Sequence, residues 1–157
     1  MRLLAFCLSV LGAQAQALSC LAVDAVWAFQ QAEADPDPIY IVHGQVSFDA
    51  ALLPQGVMNE ERTPDPIAGT INGMGLTRSG FNAPFDRDVL VQSQCAGPWC
   101  GRLAADTTYL MFVRQTPDAL VIEVNPCGGT VFQDPTVAVL DQMTRCIRGD
   151  ACESAVN

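Results

Sequence analysis

Six cysteines constrain the fold of this chain more than any other feature, because they follow a segment typical of exported proteins. Arg2, an apolar run over residues 3–13 and small residues up to Ala17 predict a signal peptide over residues 1–17. We expect residues 18–157 to form a single domain in an oxidising compartment, periplasmic or secreted, where disulfides persist. An even number of cysteines predicts three disulfides, but the sequence does not choose the pairing. The six are Cys20, Cys95, Cys100, Cys127, Cys146 and Cys152.

The start of the mature domain leaves a lipid anchor at Cys20 open as a second interpretation. A small residue, Ser19, precedes this cysteine, but Leu18 lies one position nearer to it than in a typical lipobox. The apolar run over 3–13 is too short for a membrane-spanning helix of about 20 residues. We therefore expect no transmembrane segment.

The charge of the chain limits its partners. Seventeen acidic residues against eight basic ones give a net charge of −9. Such a surface repels phosphate backbones, and no run of basic residues provides a nucleic-acid footprint. The expected partner is an unidentified protein or small molecule outside the cytoplasm, and not a nucleic acid.

Hydrophobic periodicity predicts a mainly β domain with a helix at each end. Alanine-rich residues 21–34 form the first helix, and residues 136–146 form the second, with Asp134 as its cap. Between them, alternation predicts a strand over 39–48, with a bend or bulge at Gly44. The best hairpin joins a strand at 107–115, buried on both faces, to one at 119–127.

The sequence patterns of the remaining segments predict structure less clearly. We expect an exposed loop over 49–65, a strand over 67–73, an irregular stretch over 78–85 and a strand within 86–95. Strands that do not alternate with helices argue against a parallel sheet and favour a small antiparallel barrel.

Four pieces of the chain follow one another in a distinctive order: Cys20 after the signal peptide, a helix leading into Tyr40-Ile41-Val42-His43-Gly44-Gln45-Val46, Cys100-Gly101 before Tyr109-Leu110, and a strand that ends at Cys127 before a helix with a cysteine. In this order they resemble the netrin-module family, which includes the N-terminal domains of the tissue inhibitors of metalloproteinases. The resemblance implies a five-stranded oligonucleotide/oligosaccharide-binding (OB) barrel. It also implies disulfides Cys20–Cys100, Cys95–Cys127 and Cys146–Cys152.

The inhibitory mechanism of that family transfers poorly to this chain. Its inhibitors begin with Cys-x-Cys, and the first cysteine presents its amine and carbonyl to the protease zinc. Here Cys20 stands alone, and the expected cleavage leaves Leu18 and Ser19 before it. We therefore expect a non-enzymatic binding domain and keep metalloprotease inhibition through the N-terminal segment as the alternative.

The stretch CAGPWCG at 95–101 raises a third possibility, a thiol-disulfide oxidoreductase. Redox dithiols have Cys-x-x-Cys at a helix N-terminus, whereas here four residues separate the cysteines and a strand follows. A structural role is the favoured interpretation. We expect a binding surface at a barrel mouth formed by 49–65, 95–101 and 128–133, with Pro98, Trp99 and Cys20 as candidate contacts; Trp99 is either a core plug or an exposed anchor.

No further motif predicts chemistry, so we expect no catalytic, cofactor or metal site. His43 is the only histidine, and the acidic stretches 33–37 and 60–65 lack the alternating ligands of a calcium loop. Arg148-Gly149-Asp150 matches an adhesion tripeptide, but chance is the favoured explanation for so short a motif.

Overall fold

The computed structural model describes residues 20–21, 23–58 and 60–154, so the predicted signal peptide lies outside the described residues. The chain contains two helices, a short 3₁₀ turn and nine strands within these residues. In order, they are α1 Ala25–Ala34, β1 Ile39–Phe48, the 3₁₀ turn Ala50–Leu52, β2 Glu61–Arg62, β3 Ile67–Thr77, β4 Gly80–Ser93, β5 Cys95–Ala96, β6 Trp99–Cys100, β7 Thr108–Gln115, β8 Leu120–Val124, β9 Val131–Gln133 and α2 Val137–Arg148.

Five strands form a hydrogen-bonded ring. The order is β1-β3-β4-β8-β7, and β1 and β7 pair to complete it, while β9 adds to one end of β7. The expectation of an antiparallel sheet is wrong at one place, since β4 and β8 pair in parallel from Leu90–Val121 to Ser93–Val124. The chain reaches β8 through the β7–β8 hairpin, which reverses its direction and aligns β8 with β4.

The ring separates two apolar cores, and β7 contributes to both. Its Met111 and Val113 face the inside of the ring, where they pack with Val42 and Ile122. The intervening residues, such as Leu110, face outward. The outer core lies beneath the two helices and includes Val26, Phe29, Phe112 and Met143. This confirms the prediction that β7 is buried on both faces.

The helix boundaries follow from capping. α1 begins at Ala25 rather than at residue 21, because the side chain of Asp24 accepts a hydrogen bond from Trp27 N at 2.8 Å. The predicted cap of α2 at Asp134 is wrong: Thr136 caps the helix by accepting from Val139 N. α2 ends at Arg148, and Gly149 caps it with a φ of 84°, the left-handed conformation that glycine adopts readily.

The stretch 78–85 was expected to be irregular, but it forms the start of β4, the longest strand. Pro84 and neighbouring polar residues hide the alternation, and pairing with β3 extends the strand from Gly80. The bulge expected at Gly44 lies elsewhere, between Gly75 and Leu76. Gly44 instead pairs in register with Gly73, and the two backbones approach closely.

Three disulfides link the chain, and two of the pairings implied by the family resemblance are wrong. The bonds are Cys20–Cys127, Cys95–Cys100 and Cys146–Cys152, of which the last confirms the expectation. Cys95 and Cys100 face each other across the β5–β6 hairpin, with Cα atoms 4.0 Å apart, so each is the other's nearest partner. Cys20 then bonds to Cys127, just beyond β8.

The Cys20–Cys127 bond matters for stability and for the N-terminal segment. The two cysteines are 107 residues apart. In the chain-entropy description, the bond restricts the unfolded chain and so stabilises the folded state by roughly 5 kcal/mol. A sulfur engaged in this bond is not free to carry a lipid, which argues against the anchor at Cys20. The three bonds are consistent with an extracytoplasmic location. Among the described residues, no helix is long and apolar enough to cross a bilayer.

Two glycines of the ring give a matched test of the structure. A Cβ at Gly44 would overlap the Asn72 carbonyl and lie 2.6 Å from Gly73 Cα, whereas at Gly75 the nearest atom is 3.6 Å away. We expect Gly44→Ala to lower the free energy of unfolding by about 1–3 kcal/mol, because the strands must separate. Gly75→Ala should change it by less than about 0.5 kcal/mol. Urea denaturation of both variants measures the difference, and equal losses would contradict the β1–β3 register.

Candidate functional site

Two of the three segments predicted to form the barrel mouth, 49–65 and 95–101, come together at one end of the ring. β2 pairs with β5, joining Glu61 to Ala96 and Arg62 to Cys95. β5 in turn pairs with β6, so the 49–65 loop and the CAGPWCG stretch share a small three-stranded sheet. The segment 49–65 is predicted to be an exposed loop, and the sequence does not reveal the two residues of β2 because their neighbours are polar and proline-rich.

Close backbone contacts hold the two segments in place. Gly56 lies so near to Pro98 that a Cβ there would be 2.6 Å from Pro98 Cα. Gly97 N donates to Glu60 O at 2.9 Å, and Arg62 Nη2 donates to Gln55 O. With the Cys95–Cys100 disulfide, these contacts leave the β5–β6 turn little freedom to move.

An apolar surface projects from this support. Trp99 is 38% exposed, so it is not a core plug. Val57 and Met58, 45% and 64% exposed, continue from the Gly56 contact on the adjoining segment. We call the surface of Val57, Met58, Pro98 and Trp99 the hairpin edge. Large exposed apolar side chains that adjoin one another are typical of binding surfaces.

Cys20 lies at the same end of the ring as the hairpin edge. Gln94 N donates to Val124 O at 2.8 Å, which brings the start of the CAGPWCG stretch to the end of β8. Cys127, the partner of Cys20, follows Val124 by three residues. The expected third wall, residues 128–133, packs elsewhere: a Cβ at Gly129 would lie 3.2 Å from Val23 and 3.7 Å from Trp27, beside α1.

Sequence reasoning missed an ion cluster that fixes the end of α1 to the ring. Arg114 Nη1 lies 2.8 Å from both carboxylate oxygens of Asp35 and 3.5 Å from Asp37, and Nη2 lies 3.4 Å from Glu123. Burial alone would lower the pKa of Arg114, but the charges of Glu123 and Asp35 outweigh it and raise the pKa. A lone arginine in the apolar stretch 107–115 was the available signal.

A cavity of about 240 Å³ lies next to this cluster, between α1 and the outer face of the sheet. Trp27 and Phe112 contribute apolar walls, and Gly129 closes one side. Because Arg114 is already paired with carboxylates, the cluster attaches α1 to the ring and does not present an unpaired charge.

The other residues considered in the sequence analysis make packing or hydrogen-bond contacts in the structure. The His43 ring packs edge-on against Phe81 at 5.9 Å. Within residues 20–21, 23–58 and 60–154, no three metal-binding side chains cluster. Arg148 Nε donates to Arg78 O at 2.6 Å, and Gly149 caps α2, so two residues of the adhesion tripeptide have a role in packing.

Comparison with known proteins gives no match: no protein-family model, no curated protein and no solved structure is significantly similar to this chain. The resemblance to the netrin module therefore depends on the residues quoted above.

The ion cluster can be tested by removing its cation. Arg114→Met keeps the apolar stem but leaves Asp35, Asp37 and Glu123 to repel one another, so we expect a loss of about 1–3 kcal/mol in the free energy of unfolding. Arg102→Met is the control, since Arg102 is exposed and has no ion pair with a described residue. Chemical denaturation measures both variants. Equal free energies of unfolding would contradict the role of the cluster in attaching α1 to the ring.

Proposed function

We propose that this chain is an exported, non-enzymatic binding domain with an OB-type barrel, which holds a partner protein at the hairpin edge. Five ring-bonded strands around an apolar interior, with two helices outside, support the barrel. The order of helix, strands and cysteines supports a netrin-module type, although two of its implied disulfides differ here.

The observation that carries this proposal is Trp99, 38% exposed on a hairpin closed by a disulfide. Tryptophan is enriched among the few interface residues that supply most of the binding energy. A side chain on a fixed support loses little conformational freedom when a partner covers it, so more of its burial contributes to affinity. Val57 and Met58 extend the apolar contact.

The charges beside the hairpin edge indicate the chemistry of the partner. Glu60 and Glu61 are both exposed on β2 or next to it, Glu60 lies 3.9 Å from Arg62 Nε, and the chain as a whole carries −9. A complementary partner is an extracytoplasmic protein with an apolar cleft for Trp99 and basic residues around that cleft.

The same hairpin argues against thiol-disulfide exchange as the function. Cys95 is buried, and it and Cys100 lie on paired strands rather than at a helix N-terminus. The helix dipole that lowers the pKa of a redox thiol is therefore missing from this site. We propose that the disulfide has a structural role only.

The test uses Trp99→Ala, with Met74→Ala as a matched control because Met74 is 44% exposed on β3, outside the hairpin edge. A protein captured from the extracytoplasmic fraction by the wild-type chain is purified, and its Kd is measured for all three forms. We expect Trp99→Ala to weaken binding by at least about tenfold, a loss of about 1.4 kcal/mol, and Met74→Ala to leave it unchanged. Equal Kd values for the wild type and Trp99→Ala would overturn the proposal.

Metalloprotease inhibition is the second candidate, and one observation favours it: the Cys20–Cys127 bond holds the N-terminal segment at the end of the ring that carries the hairpin edge. The chain contains eight arginines and no lysine, so carbamylation modifies no amine other than the N-terminal one. An inhibitor of this kind begins at Cys20 and loses its inhibition of zinc endopeptidases on carbamylation.

The binding-domain proposal makes the opposite prediction for the same material. N-terminal sequencing should give a residue before Cys20, and carbamylation should leave the Kd for the captured partner unchanged. A mature chain that starts at Cys20, inhibits a zinc endopeptidase and loses that inhibition on carbamylation would replace our proposal with the second candidate.

A further inference from the structure

The opposite end of the ring holds a cavity that the proposed function does not use. It lies where β1 begins, where β7 turns into β8, and beside the first half of β4. Its volume is about 720 Å³, within the range of pockets that hold small molecules. We call this cavity the ring mouth and define it by Tyr40, Phe85, Arg87, Gln115 and Leu120.

The pleat of the strands explains which side chains enter the ring mouth. Successive residues of a strand point to opposite faces, so residues two apart share a face. On β4, Phe85, Val89 and Val91 pack inside the ring, which places Arg87 on the same inner face. Tyr40 shares the face of Val42 by the same reasoning.

Arg87 remains exposed because the ring is open beside it. β4 pairs with β8 only from Leu90 to Ser93, so no strand among the described residues pairs with the edge of β4 at Arg87 on that side. An inward position that would be apolar in a closed ring thus holds a cation that contacts solvent through the mouth.

The walls of the ring mouth are mainly apolar. Phe85 packs against the Tyr40 ring, with centroids 5.5 Å apart, and Leu120 and Ile147 face the same space. Gly75 keeps it open, because a Cβ there would lie 3.7 Å from Phe85, in ordinary contact, and would extend into the mouth. An apolar body of a ligand would find hydrophobic contacts here.

The polar groups of the mouth include hydrogen-bond donors without acceptors. Arg87 makes no ion pair or side-chain hydrogen bond with any residue that the structure describes. Tyr40 Oη donates to Gln115 Oε1 at 2.8 Å, which orients the amide and leaves its NH₂ group available. Asp118, on the β7–β8 turn, is the one carboxylate among the lining residues.

We propose that the ring mouth binds a small organic acid with an apolar body, whose carboxylate pairs with Arg87. A guanidinium donates to a carboxylate through two parallel hydrogen bonds, so Arg87 complements this group in charge and shape. The ring of Tyr40 and the side chain of Leu120 contact the apolar body. The negative charge of Asp118 repels the bound carboxylate and lowers its affinity.

Phenylbutyrate is the probe, with phenylbutanol and phenylbutylamine as neutral and cationic analogues of similar shape. Titration by NMR should show phenylbutyrate binding with a Kd tighter than about 1 mM and shifting the resonances of Tyr40 and Gln115. The alcohol and the amine should bind at least about tenfold more weakly, because they cannot form the charge-assisted pair. Equal affinities, or no binding of the acid, would overturn the proposal.

Variants then locate the carboxylate. Arg87→Gln should weaken binding of phenylbutyrate by at least about tenfold, while Arg102→Gln, at an exposed arginine near the other end, should have no effect. Asp118→Asn should strengthen binding, since it removes the opposing charge. Gly75→Val narrows the mouth without touching Arg87 and should also reduce affinity. Unchanged affinity in both Arg87→Gln and Gly75→Val would rule out this site.

A short apolar peptide with a free C-terminal carboxylate presents the same chemistry from a different source. We expect it to bind more weakly than phenylbutyrate, because the turn at 116–119 and α2 border the mouth and restrict a longer chain. A tighter peptide would contradict a free acid as the ligand. Loss of the ring-mouth site would leave the Trp99 experiment unaffected, since the two surfaces lie at opposite ends of the ring.

Discussion

Closure of the sheet on itself is the constraint on which the rest of the structure depends. Two pairings achieve it: the long antiparallel contact between β1 and β7, and the short parallel contact between β4 and β8. Closure creates an inside, which holds Val42, Met111 and Ile122. It also leaves the outer face of β1 and β7 to be covered by the helices, which explains why β7 is apolar along both faces.

Closure also gives the molecule two ends with different chemistry. At one end the chain leaves β1, β4 and β8 through long connections. Disulfides hold the connections after β4 and β8, and the pairing of β2 with β5 holds the connection after β1. Trp99 therefore projects from a fixed surface, which lowers the entropic cost of the partner binding that we propose for it. At the other end short turns join the strands, and because β8 is short the ring remains open near Arg87. A cavity rather than a protruding surface results.

The sequence predicts those parts of the fold that depend on local patterns. The β7–β8 hairpin, the strand at 39–48 and both helices follow from periodicity, and all are found. The start of β4 was missed because Pro84 and its polar neighbours form a strand only through pairing with β3. The disulfides show the same limit, since Cys95 and Cys100 become partners through a hairpin register that no spacing rule supplies.

The candidate sites also differ in whether the sequence predicts them. The segment around Trp99 was predicted, because an unusual Cys-bounded stretch marks it within a few residues. The sequence does not predict the ring mouth or the Arg114 cluster, because the residues of each are far apart in the chain. The ring mouth includes Tyr40, Phe85, Arg87 and Gln115, and the cluster includes Asp35, Arg114 and Glu123. Each set draws on at least three separate elements, and folding alone brings its members together.

The most direct test of ring closure measures the parallel contact between β4 and β8, which extends only from Leu90–Val121 to Ser93–Val124. NMR of the oxidised protein should give cross-strand NOEs linking Leu90 to Val121 and Gln92 to Glu123, together with slow hydrogen exchange at β8 amides that pair with β4. NOEs between β1 and β7 without any between β4 and β8, and rapid exchange along β8, would describe an open sheet and contradict the account.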